Sequence, residues 1–163
     1  MLRAMMPLDP TAPGDGLAAL AGWNFATLLS NRVFDQWMHQ QDIRRAVGKA
    51  GGLAGPGGAH ALATFARSIP YVVGKRVAPP LGTTVVLDIT GDHPATLGAT
   101  IGADGRAARL DASPEDPTVR ISMDFETFIV LSGGRRTPED VTTTITGDAD
   151  LGDAVLANLA VTP

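Results

Sequence analysis

At 163 residues, with 13 basic against 17 acidic side chains and a formal net charge of -4, the chain can bury a core of its own and lacks the basic field that nucleic acid or an anionic membrane attracts. It has no cysteine, which excludes disulfides, thiolate zinc sites and cysteine nucleophiles, so any thiol chemistry needs a thiol from outside. No apolar run approaches the ~20 residues that cross a bilayer, and no export signal opens the chain, so we expect a cytoplasmic protein without nucleic-acid or membrane partners.

Residues 1–24 read as a tail or linker, because the stretch 7–16 holds three prolines, two glycines and two aspartates. Residues 25–80 read as helical. Leu29, Val33, Phe34, Trp37 and Met38 recur at helical spacing and predict one broad apolar face, and Gly48, Gly51 and Gly52 end the helix. The glycine-rich stretch 51–58 reads as a flexible connection: no strand precedes it and no Lys-Ser or Lys-Thr closes it, as a phosphate loop requires. A second helical run over 59–67 carries Leu62, Phe65 and Ala66. Pro70 interrupts it, residues 71–77 resume as a further turn or two, and Pro79-Pro80 close the region.

From residue 81 the period changes to two. Val85, Leu87 and Ile89 alternate with Val86 and Asp88, and Leu97, Ala99 and Ile101 alternate in turn. Asp104-Gly105 marks a hairpin into a third strand over 106–110, which makes a meander. A fourth strand carries Val119, Ile121 and Met123; Asp124 caps a helix that Gly133-Gly134 stops; a fifth strand spans 141–146; and Asp148 caps a last helix with Leu151, Val155, Leu156 and Leu159 inward. The fold class expected is α+β, with N-terminal helices followed by a five-stranded mixed sheet and helices packed on it, over residues 81–163.

Asp35 and His39 stand four apart on the first helix, so both side chains leave the same side one turn apart. Such a pair either holds a divalent metal or is an ordinary solvated ion pair, and a zinc site needs a third protein ligand. The remaining histidines, His60 at a helix start and His93 in a Gly-Asp-His-Pro turn, read as surface residues. Asp42, Arg44 and Arg45 can form helical ion pairs. Lys75, Arg76, Arg135 and Arg136 are cations able to hold a carboxylate, with Arg135 and Arg136 the weak catalytic candidates; just past a helix end, they equally serve to compensate its dipole.

As an ordered series, residues 32–46 (RVFDQWMHQQDIRRA), 70–76 (PYVVGKR), 116–120 (DPTVR), 123–128 (MDFETF), 133–136 (GGRR), 147–152 (GDADLG) and 156–159 (LANL) resemble the mycothiol-dependent maleylpyruvate isomerase family of actinobacteria, over residues 30–163. The resemblance implies a DinB-like four-helix bundle holding a divalent metal, commonly zinc, through two histidines and a carboxylate, followed by a sterol-carrier-like domain. It implies mycothiol as a thiol cosubstrate, whose thiolate adds to the cis double bond of maleylpyruvate, permits rotation, and leaves to give fumarylpyruvate. The family's Glu-x-x-x-His is matched here by Asp35 and His39. About thirty residues precede the match, without a histidine, so the chain is expected to carry only part of the bundle, to be incomplete as an enzyme, and to self-associate through its exposed helical face. The alternative expectation is a module that binds a small or apolar ligand, or an inactive fragment.

Overall fold

The computed structural model describes residues 9–14, 16 and 22–162. By contacts the chain divides into two compact units, Met1–Gly51 and Gly52–Pro163.

In the first unit, helix α1 spans Phe25–Ala46, with the Asn24 side chain accepting from the Thr27 N–H at its start. Where described, the preceding residues expected as a tail form a turn at 10–11 and are tied to the start of α1: Pro13 bridges Asn24, and the Phe25 N–H donates to the Ala12 carbonyl at 2.9 Å. The inward face of α1 is rotated from the one expected. Trp37, Met38 and Gln41 are buried and Phe34 is half-buried, whereas Leu29 and Val33 are each 49% exposed. Ile43 and Val47 are exposed as well, so apolar residues line both sides of this helix, and spacing alone could not tell which side turns inward.

In the second unit, α2 spans Pro56–Ala66, starting inside the stretch read as flexible because Pro56 occupies its first turn behind Gly55. A short α3, Ile69–Tyr71, carries Pro70 in its first turn and runs directly into a π-helical segment, Val72–Val77, which ends at the left-handed Ala78. Strands β1 (Thr84–Thr90), β2 (Ala95–Ile101), β3 (Ala107–Arg109), β4 (Val119–Asp124) and β5 (Thr144–Gly147) form one sheet in the order β3-β2-β1-β4-β5. The first three form the expected antiparallel meander, β4 lies parallel to β1, and β5 is antiparallel to β4. Strand β5 begins later than expected, since a 3-10 turn at Pro138–Asp140 takes up the chain before it. Helices α4 (Phe125–Ser132) and α5 (Ala149–Ala157) start at Asp124 and Asp148, whose carboxylates accept from the Thr127 and Leu151 N–H groups at 2.7 and 3.0 Å.

The strand alternation sorts the sheet into two faces. Val85, Leu87, Ile89, Val119, Ile121 and Met123 turn to one side, where Phe65 and Phe128 meet edge to face with ring centroids 6.1 Å apart. Phe65, Phe125, Phe128, Leu87 and Ile121 are each at most 1% exposed, so this face is packed. The opposite face presents Asp88, Thr96, Arg120, Ser122 and Thr144, brought level by the register of β1 with β2 and β4 and of β4 with β5. The unit is α+β, and among the described residues no helix is long and apolar enough to cross a membrane.

Candidate functional site

On α1 the i, i+4 spacing does what helical geometry demands: Asp35 Oδ1 lies 3.4 Å from His39 Nε2, with both side chains more than half exposed. Asp42 Oδ2 approaches His39 Nδ1 at 3.9 Å, and Arg32 reaches toward Asp35 at 4.0 Å. The result is a largely exposed row of Arg32, Asp35, His39 and Asp42 along one side of α1. Asp42 also pairs with Arg45 at 3.4 Å, as its spacing predicts. Among the described residues no three histidine, cysteine or acidic side chains converge as a metal set. Asp35 and His39 therefore supply two donors where a catalytic zinc keeps three, and they fit part of such a site rather than the whole.

The arginine candidates separate. Arg135 turns back to the Gly133 carbonyl and lies 3.2 Å from Thr162 Oγ1, so it closes the C-terminal end of α4. Arg136 is exposed, close enough to Asp140 to favour that carboxylate's charged form. They do not form one fork for a substrate carboxylate. Arg76 donates to the Asn158 carbonyl at 3.1 Å and to the Ala160 carbonyl, and its guanidinium lies 5.5 Å from the Tyr71 ring centroid, while Lys75 remains exposed. Arg76 thus ties the π-helical segment to the end of α5.

His93 is not the plain surface residue its turn suggested. Its ring is half-buried, Nε2 lies 2.9 Å from the Leu53 carbonyl, and the ring meets Phe125 edge on at 4.8 Å. Gly58 admits this contact: a Cβ there would stand 2.7 Å from His93 Nε2 and inside van der Waals contact with the Leu53 carbonyl oxygen. The glycine-rich stretch is therefore a packed helix start. His60 is half-buried on α2.

A polar cluster on the open sheet face escaped sequence reading. Arg120 Nη1 meets Asp88 Oδ2 at 2.6 Å, Thr96 Oγ1 donates to Asp88 Oδ1 at 2.8 Å, and Arg120 Nη2 donates to the Pro114 carbonyl at 3.0 Å and Ser113 Oγ at 3.2 Å. Beside it lies a cavity of about 170 Å³ whose lining includes Val86, Thr96, Gly98, Leu110 and Ser113. Gly98 leaves room for Leu110, whose Cδ1 would stand 2.8 Å from a Cβ at that position. The cavity is below the ~300–1,000 Å³ usual for ligand pockets, so it suits a fragment-sized group and not a sterol. The only sequence signal was a charged residue at the polar phase of two separate strands.

Two solved sterol carrier proteins are similar to this chain. Sterol Carrier Protein 2 Like 2 from Aedes aegypti shares 17% identity at a TM-score of 0.43, covering 58% of this chain and 93% of its own. The apo form of Sterol Carrier Protein 2 from Yarrowia lipolytica shares 14% identity at a TM-score of 0.43, covering 63% and 92%. No curated protein matches in sequence. The family described as the MDMPI C-terminal domain matches residues 59–154, from within α2 into α5 and across the whole sheet, and the chain belongs to that family, the C-terminal domain of mycothiol-dependent maleylpyruvate isomerases.

Proposed function

We propose that this chain works in the thiol-dependent cis-trans isomerisation chemistry of the maleylpyruvate isomerase family, acting on a small unsaturated keto acid in the cytoplasm, with Asp35 and His39 as its contribution to a divalent metal site. The observation that carries this reading is the 3.4 Å approach of Asp35 and His39 on an exposed turn of α1, in a chain whose residues 59–154 match the family. A DinB-like bundle with zinc, and mycothiol as the thiol, belong to the same proposal. The absence of cysteine agrees with a thiol supplied from outside.

With two protein donors the chain binds zinc weakly and does not turn over substrate unaided, and a further ligand has to come from elsewhere. Competition against a chromogenic chelator measures zinc affinity for the native chain, Asp35→Glu and His39→Ala, alongside mycothiol-dependent isomerisation of maleylpyruvate. Weak binding that His39→Ala removes and Asp35→Glu strengthens is expected. Zinc binding indifferent to His39 would sink the assignment, and tight binding with turnover in the native chain would show that the ligand set is complete.

The cavity beside Asp88 and Arg120 favours a second reading, a small-molecule binding module within the Gly52–Pro163 unit. Fragment-sized polar ligands that shift the amide resonances of Thr96, Gly98 and Ser113 would support it.

A further inference from the structure

The exposed apolar residues of α1 are not scattered. Leu29, Val33, Gln36, Gln40, Ile43 and Val47 follow one another at spacings of four, three, four, three and four, the seam of a coiled coil. Leu29 and Val33 are each 49% exposed, Ile43 is 64% and Val47 is 61%, and both glutamines are exposed. The stripe is also symmetric about Met38. Reversed, it places Leu29 level with Val47, Val33 with Ile43 and Gln36 with Gln40, so the same patch is complementary to itself under a two-fold axis. A glutamine amide carries both donor and acceptor, so the two middle layers can satisfy each other.

We propose that α1 is a homodimerisation helix, and that its occupant is α1 of a second copy, running antiparallel. Charge decides the direction. Along one flank of the stripe the order is Arg32, Asp35, His39, Asp42. In the antiparallel pair Arg32 of one copy comes within about 3 Å, along the axis, of the level of Asp42 in the other, and Asp35 within the same offset of His39. Arg44 stands at the level of Arg32 but on the opposite flank, where the residue within about 3 Å along the axis is the uncharged Ser30. In the parallel pair Arg32 would instead stand opposite Trp37, without a carboxylate across the seam. Antiparallel docking also opposes the two helix dipoles.

The chain has no native cysteine, so engineered cysteines report the geometry directly. In the full chain with chelator present, a mixture of Val33→Cys and Ile43→Cys should cross-link readily under mild oxidation, while either variant alone should cross-link little. Efficient cross-linking of each variant with itself would mean a parallel pair and would overturn the proposal. Sedimentation across a wide concentration range should show a reversible dimer, weakened by about tenfold or more in Ile43→Asp, with a melting curve unchanged at concentrations where both proteins are monomeric. Arg32→Asp should weaken it less, and adding Asp42→Arg should restore it. A strict monomer at all concentrations, as when another protein covers this face, would refute the pairing. None of these measurements uses zinc, so their failure and that of the metal assignment are separable.

Discussion

Replacing Gly58 by alanine tests whether the start of α2 is packed or flexible. Alanine favours a helix interior over glycine by about 1 kcal/mol, so a flexible connection would tolerate or welcome the change. The packed start forbids it. The new methyl would stand 2.7 Å from His93 Nε2 and press on the Leu53 carbonyl, which is backbone and cannot swing aside as a side-chain tip would. Overpacking costs about 1–3 kcal/mol, with the upper end expected where backbone must move. The 2.9 Å contact between His93 and Leu53 would be lost as well, adding about 1 kcal/mol. After the helix-propensity gain, a net loss of about 3 kcal/mol is expected. Gly55→Ser is the control, because nothing lies within 4 Å of a Cβ there and serine is a better N-cap than glycine. Urea unfolding of both variants and of His93→Ala measures the differences. The Gly58→Ala and His93→Ala losses should be less than additive, since both break one contact. A Gly58→Ala protein within about 0.5 kcal/mol of native would refute the packing argument.

Asp88→Ala should destabilise the second unit by about 1–3 kcal/mol, because it leaves Arg120 half-buried without its 2.6 Å partner, and a cycle with Arg120→Ala should show coupling; strict additivity would contradict a working pair. Asp140 has its carboxyl held below the usual carboxylate range, first by the Thr137 backbone N–H and then by the Thr137 hydroxyl. A depressed folded value means that its contribution is present above the unfolded pKa and lost as pH falls through the folded one. An NMR titration should therefore find Asp140 titrating below 3.8, with Thr137→Ala moving it part of the way back.

Much of this molecule was legible in the residues because the signals were local. Strand alternation at Val85, Leu87 and Ile89, the Asp104-Gly105 turn, and the caps at Asp124 and Asp148 each depend on neighbours within a few positions, as does the approach of Asp35 to His39 on one helix turn. The order of the sheet was not local. Only the parallel pairing of β1 with β4 sets Asp88 beside Arg120, residues 32 positions apart, and only the packing of α2 against the turn at His93 turns a glycine-rich stretch into a tight helix start. The face of α1 was undecidable for a related reason. With Leu29 and Val33 on one side and Phe34, Trp37 and Met38 on another, periodicity offers two apolar stripes, and tertiary burial chose between them.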